Sequence, residues 1–120
     1  MLRLSGTAPS RDVEDLIREL LEEDAYYDRT EHRSTHRETL VRPVQISIRG
    51  GETISAFSRN VSAAGMGLIT NQVIAERAIG VLTIERIKGM PSRLLAECRW
   101  CRSYGGDWKI SGWQFINVHQ

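Results

Sequence analysis

The chain has 120 residues, 41% of them hydrophobic and 26% charged, which is the composition of a single globular domain. Its formal net charge is only +1, and this argues against a DNA partner, because non-specific duplex binding needs a basic excess to displace counterions. No apolar run approaches the roughly 20 residues that span a bilayer, and the N-terminus lacks a signal peptide's apolar region, so we expect a cytoplasmic protein without a membrane partner.

The beginning of the chain predicts a flexible lead followed by one helix. The lead covers residues 1–9, and Ser10 is a suitable N-cap for a helix over residues 10–27. Within the helix, apolar residues recur at three- and four-residue spacing, as on one buried face: Val13, Leu16, Ile17, Leu20 and Leu21. We expect this helix either to pack on the rest of the domain or to mediate association.

The remainder of the chain changes from an arginine-rich loop to a strand pattern. The polar segment from Asp28 to Glu38 has no periodicity and belongs to a predicted arginine-bearing loop over residues 28–42. The apolar residues from Val44 to Ile48 alternate with polar ones, which is typical of a half-buried strand. Gly50 and Gly51 indicate a hairpin turn with positive φ angles. Further strands are predicted at 53–58, 66–70, 80–87, 94–102 and 108–118. Six short strands favour a mainly β fold over residues 43–120, a small six-stranded antiparallel barrel, because closure removes exposed edges.

Two short motifs indicate the function. Arg33-Ser-Thr-His-Arg37 precedes the first predicted strand and supplies two guanidinium groups, which can grip phosphate, donate to guanine or stack on a base. Asn60-Val-Ser62-Ala-Ala-Gly65 supplies an acceptor, a hydroxyl and a tight turn. In this order, and with the surrounding residues 31–118, they resemble the RxxxR and (D or N)xSxxG patterns of the PilZ domain family, whose ligand is the bacterial second messenger cyclic di-GMP.

The resemblance implies a six-stranded barrel and assigns a role to each motif residue. Arg33 and Arg37 would wrap over the ligand and contact phosphate and base. Asn60 would accept from the guanine Watson-Crick edge, and Ser62 would add a hydroxyl contact. Gly65 would leave room for the ligand and hold a backbone conformation that other residues resist.

The arginine motif has a second register, because Arg29-Thr-Glu-His-Arg33 also fits RxxxR. Arg33 and Arg37 are preferred because family members place the second arginine only a few residues before the first strand. Arg29 remains an additional candidate contact. Many family members carry a further arginine immediately ahead of the motif, where this chain has His32, and the number of bound ligand molecules, one or two, is therefore left open.

The cysteines and tryptophans have simpler interpretations. Cys98 and Cys101 form a single CxxC, which lacks two of the four ligands of a zinc site, and we expect no metal. Strand alternation predicts that Cys98 and Trp100 face the core while Cys101 faces out. Trp113 and Phe115 are likewise predicted in the core. Trp108, beside a turn, is the tryptophan expected to be partly exposed.

The sequence contains no nucleophile elbow, P-loop or dinucleotide-binding glycine turn, which favours a protein that is not an enzyme and has no cofactor. The leading hypothesis is a cyclic di-GMP receptor that signals to a protein partner by a conformational change. The alternatives are a ligand-independent PilZ-type adaptor that binds a protein partner, and an unrelated nucleic-acid-binding small barrel. Neither the partner's identity nor the oligomeric state follows from the sequence.

Overall fold

The computed structural model describes residues 11–27 and 38–119, with the side chains of 11–22 and 38–119. The predicted lead and residues 28–37 of the predicted loop lie outside the described residues. The elements in chain order are α1 (Arg11–Tyr27), β1 (Glu38–Thr39), β2 (Pro43–Ile48), β3 (Thr53–Val61), β4 (Gly65–Thr70), β5 (Ile79–Ile84), β6 (Ser92–Gly105) and β7 (Trp108–Val118).

Six of the strands close into an antiparallel barrel. Around the barrel the order is β3, β2, β5, β6, β7 and β4, and β4 pairs back onto β3. The short strand β1 is additional and pairs with the end of β3. The predicted mainly β fold with a closed six-stranded barrel and one N-terminal helix is therefore confirmed.

Alternation along the strands fills the barrel with apolar side chains. In β2, Val44 and Ile46 are buried and the residues between them are exposed, as predicted. The fully buried core includes Leu68, Leu82, Ile84, Leu94, Ala96 and Cys98. Burial of each leucine or isoleucine side chain in this list stabilises the fold by about 1.5–3 kcal/mol.

Helix α1 packs on the barrel, which is one of its two expected roles. Val13, Ile17 and Leu20 are each at most 3% exposed and belong to the same core as the strand residues, and α1 contacts β7. Glu19 on the helix lies 3.5 Å from Arg86, which follows β5. No helix within residues 11–27 and 38–119 is long and apolar enough to span a membrane.

Three strand ends differ from the predicted ones because of pairing. β3 continues to Val61, since β1 and β4 supply partners for its last residues. β5 ends at Ile84, three residues early, and the chain then bends through residues 87–90. β6 runs on to Gly105, because Gly105 and Gly106 adopt φ angles of +116° and +56° and form a tight hairpin to β7.

A β-bulge reverses two predicted orientations on β6. The register between β6 and β7 shifts between Cys98 and Trp100, so the simple alternation expected of a regular strand fails there. Cys101 is consequently half-buried against the core, where its Sγ accepts from the backbone N–H of Ile74 at 3.5 Å. Trp100 lies on the outer surface instead of in the core, and both orientations predicted from alternation are wrong. Trp113 in the core and the exposed Trp108 are confirmed.

Candidate functional site

The turn between β3 and β4 is organised by the serine of the second motif. Ser62 Oγ accepts from the backbone N–H groups of Ala64 and Gly65 at 3.2 and 3.3 Å, and Ser62 N donates to Gly65 O at 2.8 Å. Phe115 N on β7 donates to Ala64 O at 2.8 Å. Serine hydroxyls stabilise turns in this way, so Ser62 fixes the shape of the turn as well as presenting its hydroxyl there.

Gly65 is required by a close approach of two backbones. It is the first residue of β4 and pairs with Gln114 of β7, and a Cβ at this position would overlap the carbonyl oxygen of Trp113. Its φ angle lies outside the left-handed region, so the special backbone conformation expected for it is not found. The steric need comes from the neighbouring strand.

Asn60 sits just beyond a bulge in β3, where the pairing with β4 shifts between Ser58 and Asn60. Its Oδ1 accepts from the backbone N–H of Gly67 at 3.1 Å, and a Cβ on Gly67 would lie only 2.8 Å from that oxygen. The hydrogen bond holds the side-chain amide in place over β4.

Trp100 lies in the same row of the barrel surface as Asn60. The row crosses four strands in register, because Asn60 is opposite Gly67, Gly67 is opposite Gly112, and Gly112 is opposite Trp100. The indole of Trp100 lies directly over Gly112, where a Cβ would overlap the ring. Gly67 and Gly112 thus leave only backbone atoms on the sheet surface between the Asn60 amide and the Trp100 indole.

A shallow pocket opens beside this row, next to the turn. Its lining consists of Ser62, Ala64, Gly65, Arg99, Trp100, Gly112, Trp113 and Gln114. Arg99 donates to Gln114 Oε1 and lies 3.6 Å from the buried carboxylate of Glu97. The guanidinium carbon of Arg102 lies 4.9 Å from the centre of the Trp100 ring. The pocket lining therefore combines an indole ring, the guanidinium group of Arg99, the amide of Gln114 and the hydroxyl of Ser62, and Arg102 stacks on the indole beside it.

Strand β1 lies beside the turn of the second motif and begins, in sequence, directly after Arg37. Glu38 pairs with Val61 and Thr39 with Asn60, so the first described residue after Arg37 lies against the turn of the second motif. The candidate residues Arg29, His32, Arg33 and Arg37 themselves lie outside the described residues.

Ser58 fastens the chain immediately after β1. Its buried Oγ donates to Leu40 O at 2.6 Å and accepts from Arg42 N at 2.8 Å. Ser58 N also donates to Arg42 O at 2.9 Å. This side chain replaces ladder hydrogen bonds at the corner between β1 and β2 and holds that corner on β3.

The buried thiol of Cys98 lies on the inner side of the bulge that exposes Trp100. Burial, and secondarily the nearby Cys101, raise the pKa of Cys98 from 9.0 to about 12. Cys98 Sγ donates to Trp100 O at 3.4 Å. Since the thiolate is the reactive and metal-binding form, a thiol of this pKa is a poor nucleophile and a poor ligand at neutral pH.

The comparison with protein families decides the classification of this barrel. The family model of the PilZ domain matches residues 31–120. The chain belongs to the PilZ family. A comparison with curated proteins gave no significant match. PilZ domains are non-catalytic binding domains that generally bind cyclic di-GMP and act as receptors or adaptors.

Sequence reasoning missed several residues that the PilZ fold brings to the motif turn. Strand alternation predicts Trp100 in the core, and neither sequence motif includes Arg99, Gln114 or Gly112. The bulge that turns Trp100 outwards leaves no mark in the sequence, because Cys98 and Cys101 look like any half-buried strand residues. A usable signal was the presence of Gly67 and Gly112 inside strands, since glycine there often marks the close approach of another group.

Proposed function

We propose that this PilZ domain is a non-catalytic receptor for cyclic di-GMP that signals to a protein partner through a changed surface. The observation that carries the proposal is the pairing of Glu38 with Val61. Glu38 directly follows Arg37 in the sequence, and its position beside the NxSxxG turn supports a common site for the two motifs. A cytoplasmic location in a bacterium is part of the same proposal.

The ligand presents two phosphates and two guanine bases, and the candidate site offers a group suited to each. Arg33 and Arg37 grip the phosphates through charge-assisted hydrogen bonds. The stacked pair of Trp100 and Arg102 provides planar surfaces for a purine base.

The Watson-Crick edge of guanine is recognised at the turn between β3 and β4. Asn60 Oδ1, which the hydrogen bond from Gly67 N holds over β4, accepts from guanine N1–H or N2–H. Ser62 adds a hydroxyl contact, and the absence of side chains at Gly65 and Gly112 lets the ligand approach the strands. His32 and Arg29 are additional candidates whose contribution decides whether one or two ligand molecules bind.

Calorimetric titration with cyclic di-GMP and with a single-stranded oligothymidine tests the proposal against both alternatives. The receptor is expected to bind the dinucleotide in preference to the oligonucleotide. Binding of neither would favour the ligand-independent adaptor. Preference for the oligonucleotide would favour a nucleic-acid-binding barrel.

A further inference from the structure

An outward-facing row of apolar side chains crosses three strands next to the candidate nucleotide site. Phe57 on β3 pairs with Ile69 on β4, and Ile69 pairs with Ile110 on β7. Phe57 is 52% exposed, and the two isoleucines are half-buried. Every second residue of a strand faces the same side of the sheet. This apolar row is therefore the next outward-facing row along the strands from the row that contains Asn60 and Trp100.

Two exposed aromatic residues at the hairpin between β6 and β7 extend this row. Trp108, two residues before Ile110 on β7, is 48% exposed, and Tyr104 on β6 is 45% exposed. Tyr104 adjoins the row through Arg59, whose guanidinium carbon lies 5.7 Å from the ring centre. We name Phe57, Ile69, Tyr104, Trp108 and Ile110 the outer belt. Contiguous exposed apolar surface of this kind marks interaction sites in soluble proteins.

Two guanidinium groups lie along the outer belt, and the exposed Asp107 precedes Trp108 in the hairpin at its end. Arg59 follows Phe57 by two residues, and Arg102 is opposite Ile110. Within the described residues, the outward positions of β3, β4 and β7, and of β6 from Trp100 onward, carry no carboxylate, although the chain has 15 acidic residues. A partner that buries this surface satisfies the two guanidinium groups best with carboxylates of its own.

We propose that the outer belt is a docking surface for a protein partner that presents an acidic amphipathic helix. Neighbouring strands are about 4.8 Å apart, so Phe57 and Ile110 are separated by about 10 Å across the sheet. The rise between residues i and i+7 of a helix is about 10.5 Å. Apolar side chains at such positions match the row, and acidic side chains beside them reach Arg59 and Arg102.

The composition of the outer belt favours a protein occupant over nucleic acid or a second copy. Single-stranded nucleic acid is held largely by stacking of its bases on aromatic rings, whereas the centre of the outer belt is the aliphatic pair Ile69 and Ile110, and Arg59 already lies over the ring of Tyr104. The chain's own acidic amphipathic helix, α1, has its apolar face inside its own core, so a second copy cannot offer that face without undocking it.

Peptide selection on the full chain, without nucleotide, tests this docking surface separately from the proposed receptor function. A displayed library of random linear peptides is panned on the wild-type protein, and selected peptides are labelled and titrated by fluorescence anisotropy. The expected peptides combine Asp or Glu with Leu, Ile or Phe at helical spacing. Their affinity should fall about ten-fold or more in Phe57→Glu and in Ile110→Glu.

Matched variants separate the outer belt from general effects on the protein. Met90→Glu introduces the same charge at a residue that is 83% exposed and outside the outer belt, and it should leave peptide affinity unchanged. Arg59→Glu should weaken the acidic peptides without removing an apolar contact. Circular dichroism confirms that each variant retains the fold.

Several outcomes would overturn the proposal. One is a selection in which no peptide binds the wild-type protein more tightly than Ile110→Glu. Another is a selection whose peptides lack acidic residues. Tighter binding of oligothymidine that the same variants abolish would assign the surface to nucleic acid. A concentration-dependent dimer in sedimentation that Ile110→Glu converts to monomer would assign it to a second copy.

Discussion

The indole of Trp100 on β6 lies directly over Gly112 on β7, and the two residues are partners across the strands. Any side chain at residue 112 would push the ring away. The absence of a side chain at Gly112 therefore allows the Trp100 ring to lie directly on the sheet, beside the turn that carries Ser62 and Gly65. An aromatic ring seated in this way is a preformed surface for stacking a base.

Trp100→Ala is expected to weaken cyclic di-GMP binding by about 1–3 kcal/mol, the usual contribution of a base stacked on an aromatic ring. Isothermal titration calorimetry measures the change. Trp108→Ala is the matched control, because Trp108 is exposed at the hairpin and away from the pocket. Equal losses in the two variants would remove Trp100 from the site.

Gly65→Ala is expected to lower the free energy of unfolding by at least about 2 kcal/mol, since its methyl group would meet the backbone of Trp113 and force β4 from β7. Chemical denaturation gives this value. Gly51→Ala is the control, because a Cβ there meets nothing closer than 3.5 Å and its φ is not positive. A fully stable Gly65→Ala protein would contradict the close approach.

Asn60 has two separable roles, and two substitutions distinguish them. Asn60→Ala should cost about 1–3 kcal/mol of stability, because the buried N–H of Gly67 loses its acceptor, and it should also reduce cyclic di-GMP affinity. Asn60→Asp keeps an acceptor oxygen and should preserve both. Stability and affinity that are both unchanged in Asn60→Ala would show that neither role is real.

Selectivity for guanine is a further consequence of the Asn60 acceptor. Adenine presents an acceptor at N1 where guanine presents a donor, so cyclic di-AMP should bind much more weakly than cyclic di-GMP. Competition titrations compare the two ligands. Comparable affinities would mean that the phosphates alone are recognised.

The PilZ fold followed from the sequence because its determinants are local. Alternation from Val44 to Ile48 and the apolar face of α1 each specify one buried surface, and both are present. Of the two glycines predicted to have positive φ angles in the first hairpin turn, Gly50 does, at 71°, and Gly51 does not. Periodicity is a property of neighbouring residues in the sequence, so it can be recognised without knowledge of the tertiary structure.

The composition of the pocket was less predictable, because it depends on irregularities in strand pairing. One bulge turns Trp100 outward and Cys101 inward, and another places Asn60 opposite Gly67. Bulges arise from the fit between strands that are distant in sequence. The contact of Gly65 with Trp113 is likewise a relation between β4 and β7 that neither segment reveals alone.

The raised pKa of Cys98 predicts a loss of stability at alkaline pH. The unfolded thiol ionises near pH 9, whereas the folded thiol keeps its proton up to about pH 12. Stability is therefore fully present below pH 9 and declines as the pH rises from there towards 12. Between about pH 8 and 10.5 the loss should be about 2 kcal/mol. Urea unfolding at both pH values should show this loss in wild type beyond that in Cys98→Ala, and equal losses would contradict it.

The most direct test of the receptor proposal is the calorimetric affinity of cyclic di-GMP for wild type, Arg33→Ala and Arg37→Ala. Wild type should bind, and each substitution should cost about 2 kcal/mol or more, as expected for charged contacts that are buried on binding, with the unfolding temperature unchanged. Arg29→Ala is the control, and a larger loss there would select the alternative register. Absence of binding by wild type, or unchanged affinity in both variants, would contradict the proposed cyclic di-GMP site.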